Sequence, residues 1–170
     1  MTNNSVHFSS LRLDWKTPKA VYQVLDSEFR FDHDPCPPKY QIDGLTSDWG
    51  GANFVNPPYG RELPKWIKKG FEEWQKGKVV VFLIPSRTDT RWWHDYCMKA
   101  TEIRFIKGRL KFDNQKNPAP FPSAIIIFKH LSLTNPKAPL DLSKSCLCYH
   151  PINGTVQLCD AHQLKYTVTI

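Results

Sequence analysis

The feature that most constrains the fold of this chain is a largely apolar run at residues 78–84 (KVVVFLI), which stops at Pro85. A strand that is apolar on both faces must be covered on both faces, and such strands are typical of parallel sheets flanked by helices. A second, shorter run at residues 52–55 is also followed by prolines, Pro57 and Pro58, which cannot continue the hydrogen-bond ladder of a central strand. The sequence therefore predicts an α/β fold.

Helices are predicted before and between these strands. Thr17 and Pro18 favour a helix start, because Thr can cap a helix and Pro is preferred at its first position. A second helix is predicted from Pro64, after which apolar residues recur at helical spacing. Asp89 or Thr90 can cap a third helix. Helices that alternate with strands favour right-handed crossovers between the strands of a parallel sheet.

Three more strands are predicted at residues 102–106, 109–112 and 123–128. An antiparallel pair among these strands would close the sheet. The predicted fold class is therefore α/β, with a mainly parallel sheet and an antiparallel closing hairpin. We predict that the core domain occupies residues 11–130. Residues 131–170, which are interrupted by prolines, are interpreted as a β-rich C-terminal extension of unknown function.

The composition excludes several classes of protein. The chain has 170 residues, 41% of them hydrophobic, so it can bury the core of about one domain and is not expected to be disordered. No apolar run approaches the roughly 20 residues that span a bilayer, and the first residues lack the features of a signal peptide. We therefore expect a soluble, cytoplasmic protein whose five cysteines are reduced.

The net charge of +7 is unevenly distributed along the chain. Residues 61–116 contain 14 Lys and Arg against 7 Asp and Glu, so this segment carries the whole excess. Residues 14–48 are acidic, with 4 basic and 7 acidic side chains. A basic surface attracts polyanions, and an acidic pocket favours a cation. An ordinary lysine-rich face exposed to solvent would give the same pattern, and charge alone does not choose between the two.

The C-terminal extension contains Cys146, Cys148, His150, Cys159 and His162. Zinc accepts four such ligands in structural sites, but the spacing C-x-C-x-H is not a common one for zinc. An extension that packs without metal is the favoured alternative. The prediction is therefore a chain without a bound metal.

The tetrapeptide Asn56-Pro57-Pro58-Tyr59 is predicted to lie at the carboxyl end of a strand, where ligands of open α/β sheets bind. An amine conjugated to an aromatic ring is a poor nucleophile, because its lone pair is delocalised. An Asn side-chain oxygen and a proline carbonyl can accept its two N–H groups and localise that pair, while the prolines keep both acceptors rigid. Tyr59 offers a flat face for a base swung out of the helix. The alternative is a stiff loop without chemistry.

Six short motifs in the same order resemble the compact phage-type DNA N-6-adenine methyltransferase (Dam) family over about residues 11–130. They are Asp14-Trp15-Lys16-Thr17-Pro18, Asp34-Pro35, Asn56-Pro57-Pro58-Tyr59, Leu83-Ile84-Pro85-Ser86-Arg87-Thr88-Asp89-Thr90, Gly108-Arg109-Leu110-Lys111-Phe112 and Pro120-Phe121-Pro122-Ser123-Ala124. Any one motif alone is weak, but six in register are hard to obtain by chance.

The resemblance implies an abbreviated Rossmann-like fold that transfers a methyl group from S-adenosylmethionine (AdoMet) to N6 of adenine in double-stranded DNA. It implies a catalytic loop formed by Asn56, Pro57, Pro58 and Tyr59. It implies cofactor binding by Trp15, Thr17, Pro18, Asp34 and Asp48. Residues 31–38 lack the glycine-rich loop of general AdoMet enzymes, so the residues that bind the adenosine are not identified. Such proteins are usually encoded by phages or prophages, and they are thought to protect phage DNA from restriction.

DNA contacts are predicted in the basic middle of the chain, because cations neutralise phosphates and release counterions. The candidates either follow a strand on the catalytic side or alternate along a predicted strand: Arg87, Arg91, Trp92, Lys107, Arg109 and Lys111. Lys65, Lys68 and Lys69 are interpreted instead as a solvated helix face.

Other functions stay open at this point. The same loop could methylate an RNA adenine or a protein glutamine, and the basic segment argues against a protein substrate but not against RNA. An inactive DNA-binding relative is the third alternative, although the intact loop at residues 56–59 argues against decay. No obligate protein partner is evident. The sequence discloses neither the oligomeric state nor the DNA recognition sequence, for which GATC is the first to test.

Overall fold

The computed structural model describes residues 15–37, 43–113 and 115–130, and the backbone of residues 146–150 and 155–158. In these ranges the helices are α1 (Lys19–Phe29), α2 (Leu63–Gln75) and α3 (Arg91–Asp95), and a turn of 3-10 helix follows at Cys97–Lys99. The strands are β1 (Ala52–Val55), β2 (Val79–Pro85), β3 (Glu102–Lys107), β4 (Ser123–Phe128), β5 (Cys146–His150) and β6 (Thr155–Leu158).

The helices begin close to the predicted positions. Pro18 directly precedes α1, and Pro64 lies in the first turn of α2, where the missing proline N–H would have no partner within the helix. Thr90 directly precedes α3. None of the described helices is long and apolar enough to cross a membrane.

The strands form one mixed sheet in the order β1-β2-β4-β3-β5-β6. Parallel pairs form between β1 and β2 and between β3 and β5, whereas β4 runs antiparallel to both of its neighbours. The predicted α/β class is confirmed, but the mainly parallel arrangement is not found. The reason is that all six residues of β4 are buried. A strand with two buried faces gains most in the middle of a sheet, so β4 lies between β2 and β3 and separates them.

The strand predicted at residues 109–112 does not form. Gly108 has φ +81°, in the left-handed region, and β3 ends just before it. In the loop that follows, Leu110 and Phe112 are buried while Arg109 and Lys111 are exposed, so the alternation that predicted a strand belongs to an irregular segment. The closing antiparallel pair exists, but it is formed by β3 and β4.

Buried side chains form one cluster on each face of the sheet. On one face, Val81 and Leu83 of β2 pack with Val21 and Leu25 of α1. On the other face, Phe82 and Ile84 of β2 lie in the cluster that includes two residues of α2, Trp66 and Ile67. The apolar run that predicted a strand covered on both faces is therefore confirmed.

Part of the basic segment is neutralised inside the fold. Glu73 of α2 has a fully buried side chain, and its carboxylate lies 2.5 to 2.7 Å from the amines of Lys69, Lys76 and Lys78. Burial alone would raise the pKa of Glu73, but hydrogen bonds from the three lysines outweigh it and lower this pKa to about 2. Three of the 14 basic side chains of this segment are thus engaged by one buried carboxylate inside the fold.

Candidate active site

Asn56 lies at the carboxyl end of β1, as predicted. β1 is paired in parallel with β2, so that Val55 is in register with Phe82. The residue after β1 and the end of β2 therefore meet at one edge of the sheet. Asn56 is half-buried and Pro57 is buried, so this edge presents a constrained loop rather than a solvated turn.

The Asn56 carboxamide is hydrogen-bonded at both ends. Its Nδ2 group donates to the Trp15 carbonyl oxygen and, at 2.9 Å, to the Thr17 hydroxyl oxygen. Its Oδ1 atom accepts from the Tyr59 hydroxyl at 2.7 Å. Residues 15–18, which we call the N-terminal segment, and the loop at residues 56–59 were predicted as separate motifs. They are thus joined through the side chain of Asn56.

The Tyr59 hydroxyl is held at the same edge by a second acceptor. It lies 2.9 Å from the Leu83 carbonyl oxygen, in addition to its contact with Asn56. A hydroxyl carries one proton and can donate it to only one of the two acceptors at a time. Burial of this end of the side chain, with a smaller contribution from Cys36, raises the pKa of Tyr59 well above its ordinary value. Tyr59 is therefore a neutral hydrogen-bond donor.

Four aromatic rings, one of them that of Tyr59, pack together at this edge of the sheet, and every ring contacts the other three. Trp15 and Tyr59 are stacked with 6.4 Å between centroids and 23° between planes. Phe112 and Phe121 complete the group, at 5.0 and 5.2 Å from the Trp15 centroid and at 6.1 and 5.6 Å from that of Tyr59. We call these four residues the aromatic cluster. Trp15, Tyr59 and Phe121 are half-buried, so part of the cluster faces solvent.

Thr17 does not cap α1, contrary to the helix-cap interpretation of this residue. No side chain of the cap residue itself bonds the start of α1. The first helical N–H, that of Lys19, donates instead to the Asp113 carboxylate at 3.1 Å. The Asp113 N–H donates in turn to the Lys16 carbonyl oxygen at 3.1 Å. The loop at residues 108–113 therefore holds the N-terminal segment in place and leaves the Thr17 hydroxyl to Asn56.

A groove of about 530 Å³ lies where this loop meets the start of α1. Its lining consists of Pro18, Lys19, Ala20, Gln23, Lys111, Phe112 and Asp113. Pro18 was predicted to bind cofactor and Lys111 to bind DNA, and the structure places both on the same groove. Its volume is in the range of small-molecule sites.

The two predicted acidic cofactor residues are placed differently. His33 forms an isolated parallel bridge with Asn53 of β1, so Asp34 continues toward the edge that carries Asn56. Its carboxylate accepts from the backbone N–H of residue 36 at 2.8 Å. Asp48 lies before β1, and its charge acts on Lys76 at the end of α2. The structure thus brings Asp34 toward the site and places Asp48 at the opposite end of the strand.

The predicted DNA-binding residues are mostly exposed. The exposed ones are Arg87, Arg91, Lys107, Arg109 and Lys111. Arg87 follows β2, and Lys107 ends β3, which runs in the same direction as β2 because both are antiparallel to β4. Arg87 and Lys107 therefore lie toward the edge of the sheet that carries Asn56. Trp92 is half-buried and packs on Trp93, with 6.0 Å between centroids.

Sequence reasoning missed several groups of the site. Phe112 and Phe121 were noted in motifs but were given no role, and the Leu83 carbonyl and Asp113 were not considered. Arg61 is exposed two residues after Tyr59 and was not among the predicted DNA contacts. The available signal was aromatic residues beside prolines or glycine in loops that follow strands.

The zinc hypothesis concerns positions that the structure does not describe. Cys159 and His162 lie outside the described residues, as do the side chains of Cys146, Cys148 and His150. Within the described ranges, no group of three or more His, Cys, Asp or Glu side chains could hold a metal ion.

Comparison with known proteins identifies the relatives of this chain. The profile of the family described as DNA N-6-adenine-methyltransferase (Dam) matches residues 4–140. A DNA N-6-adenine-methyltransferase of Haemophilus phage HP1 (strain HP1c1) is 28% identical over 151 residues, which cover 77% of this chain and 83% of the relative. A protein of the same name from Escherichia phage T1 is 28% identical over 116 residues, covering 61% of this chain and 48% of that relative. No solved structure matches the chain.

Proposed function

Because the chain belongs to the DNA N-6-adenine-methyltransferase (Dam) family, we propose that it transfers a methyl group from AdoMet to N6 of adenine in double-stranded DNA. The observation that carries the proposal is the location and hydrogen bonding of the Asn56 side chain. Its carboxamide lies at the sheet edge where α/β proteins bind ligands, with both amide protons engaged and its oxygen directed toward Tyr59.

Asn56 and Pro57 activate the adenine amine. The Asn56 Oδ1 atom has two lone pairs, one of which accepts from Tyr59. The second accepts one N–H of the amine, and the Pro57 carbonyl oxygen accepts the other. The hydrogen bonds of Asn56 hold the first acceptor before the substrate arrives, and the prolines restrict the backbone that carries the second, so little reorganisation is needed in the transition state. The nitrogen becomes more tetrahedral and its lone pair is directed at the methyl donor.

The aromatic cluster receives the base. N6 of adenine takes part in base pairing inside the duplex, so the nucleotide must leave the stack before a pocket can enclose it. The half-buried ring of Tyr59 provides the stacking surface. Tyr59 is itself supported from the sides by Phe112 and Phe121, which limits the positions that the base can take.

The residues near Asn56 suit a cationic cofactor. When bound, AdoMet supplies an electrophilic methyl group on a positively charged sulfur. Trp15 presents an aromatic face, which attracts cations, and Asp34 is on the same side. Pro18 and the groove next to it accommodate the remainder of the molecule. Asp48, at the far end of β1, is not included in this site.

The exposed basic residues form the DNA-binding face. Arg87, Lys107 and Arg109 lie toward the edge of the sheet that carries Asn56, and Arg61 is added to them because it follows the catalytic loop. Such cations bind phosphates whatever the base sequence. They would hold the duplex so that one base can reach the aromatic cluster.

Methyl transfer tests the proposal directly. Purified protein is incubated with methyl-labelled AdoMet and, in parallel reactions, duplex DNA or RNA, and the nucleic acid is digested to nucleosides. Label is expected in N6-methyl-2′-deoxyadenosine from the DNA. Asn56→Ala should abolish the label and leave DNA retention nearly unchanged. Label found only in RNA or protein would overturn the proposal, and DNA binding without any transfer would identify an inactive relative.

A further inference from the structure

We propose that Thr17 is a positioning residue that holds the Asn56 carboxamide in the orientation set by the Trp15 carbonyl, in which Oδ1 rather than Nδ2 is presented to the adenine amine. The inference rests on the proposed function, because it concerns the acceptor on which that function depends. Thr17 and Asn56 are 39 residues apart in sequence and are joined by a 2.9 Å hydrogen bond.

The two ends of a carboxamide have nearly the same shape and opposite hydrogen-bonding character. Rotation of Asn56 by 180° would present two donors to an amine that is itself a donor, and the activation would be lost. An Asn side chain with only water around it has no strong preference for either orientation. The protein must therefore supply the preference.

The N-terminal segment supplies this preference through the Trp15 carbonyl, and Thr17 stabilises the result. The Trp15 carbonyl can only accept a hydrogen bond, so it must face the NH₂ group of Asn56. The Thr17 hydroxyl oxygen accepts the second N–H of this group and so holds the plane of the carboxamide. In the rotated state Oδ1 would lie against the Trp15 carbonyl oxygen, whereas the Thr17 hydroxyl could turn and donate to Oδ1. Facing oxygens are costly in a half-buried site. The Trp15 carbonyl therefore sets the orientation, and Thr17 keeps the side chain against it.

The Tyr59 hydroxyl contacts the other end of the carboxamide. It donates to Oδ1 at 2.7 Å and has an alternative acceptor in the Leu83 carbonyl, 2.9 Å away. It can therefore turn to Leu83 and leave Oδ1 free when the amine arrives. Asp113 anchors the segment that carries Thr17 through its bonds to the backbone of Lys16 and Lys19. The positioning group is thus itself held in place.

Thr17→Val is the first test, because it removes the hydroxyl and keeps the shape, and Thr17→Ser is the matched control. We expect Thr17→Val to lower kcat for adenine methylation by about tenfold or more, with the Kd values for AdoMet and DNA within about twofold of wild type. Thr17→Ser should recover most of kcat. If Thr17→Val instead weakens AdoMet binding and leaves kcat unchanged, Thr17 acts on the cofactor and the proposal is wrong.

A second measurement does not depend on turnover. The side-chain amide protons of Asn56 can be identified by NMR from the signals that disappear in Asn56→Asp. In the wild type and in Thr17→Ser we expect two well-separated signals that exchange slowly with water. In Thr17→Val, or in Thr17→Ala if the Val variant does not fold, they should move together and exchange faster. Signals unchanged in both variants would overturn the proposal, whereas a wild type that methylates no DNA would refute only the proposed function.

Discussion

Arg104 of β3 and Glu28 of α1 form a two-point ion pair, in which each of the two terminal guanidinium nitrogens lies 2.6 Å from one carboxylate oxygen. The remaining nitrogen, Nε, donates to Glu102 at 2.6 Å. The Arg104 side chain is only 4% exposed. Although Arg104 belongs to the basic segment, it joins α1 to the sheet and is not available to a phosphate.

Replacing Arg104 with Met should destabilise the fold, because it leaves Glu28 and Glu102 without their partner. Since Glu28 is partly exposed, we expect a loss of about 2 kcal/mol in the free energy of unfolding, below the range for fully buried pairs. Urea denaturation measures it. Arg91→Met is the control, since Arg91 pairs with Asp95 at the surface, and its effect should stay under about 0.5 kcal/mol. Equal effects of the two substitutions would contradict this account.

Glu73 should make the fold sensitive to acid. Its pKa in the folded protein is about 2, below the unfolded value of about 4.3. A lowered pKa contributes stability that is complete above the unfolded value and is lost as the pH falls from about 4.3 toward 2, by roughly 3 kcal/mol in total. The urea midpoint should therefore drop as the pH falls from about 4.3 toward 2, the window set by these two pKa values.

Glu73→Gln provides the comparison for this pH dependence. The variant should be less stable than wild type at pH 7 and should lose less stability on acidification. Glu72→Gln is the matched control, because Glu72 is exposed and lies 3.7 Å from Lys68. A wild-type pH profile in Glu73→Gln would show that other carboxylates cause the acid sensitivity.

Tyr59 combines a ring and a hydroxyl that two substitutions can separate. Tyr59→Phe keeps the ring in the aromatic cluster and removes the donor to Asn56. We expect kcat to fall by about three- to tenfold, the effect of one hydrogen bond. Tyr59→Ala removes the stacking surface as well, so its loss should be larger by a further factor of about ten or more. Steady-state methylation of a duplex oligonucleotide measures both. If the two variants are equally active, the ring has no role.

Salt dependence tests the DNA-binding face. The logarithm of the association constant should fall linearly with the logarithm of salt concentration, and removing one cation that binds a phosphate should reduce the slope by about 0.9. Arg87→Ala and Lys107→Ala are each expected to do so. Lys65→Ala is the control, because Lys65 of α2 is paired at 2.7 Å with Glu62, the residue before that helix. Fluorescence anisotropy with a labelled duplex at several salt concentrations gives the slopes. An equal change in Lys65→Ala would contradict the assignment of Arg87 and Lys107 as phosphate contacts.

Local patterns were enough to predict β1, β2 and the position of Asn56. Both strands are apolar runs followed by prolines, and a proline cannot continue a central ladder. The family resemblance was confirmed by the match over residues 4–140. The division of the chain at residue 130 stays a prediction, as do the roles of the individual site residues.

What the sequence did not disclose depends on contacts between distant residues. Nothing near Ser123 indicates that β4 inserts between β2 and β3, since a strand's neighbours are chosen by the whole sheet. The hydrogen bond between Thr17 and Asn56 could not be predicted for the same reason, since it joins residues that are distant in sequence. Locally, a Thr before Pro is an ordinary helix start. The loop at residues 109–112 misled the prediction, because its alternation arises from burial against α1 without any strand partner.

The late position of β4 in the chain also affects how the protein is made. β2 and β3 are synthesised first, but neither has its inner neighbour until residues 123–128 leave the ribosome. Until then each exposes unpaired backbone N–H and C=O groups along one edge, the kind of surface on which nascent chains associate. Among β1 to β4, the strand that is synthesised last is thus the one that connects the other three into a sheet. We therefore expect a chain that stops before Ser123 to aggregate and not to form a smaller enzyme.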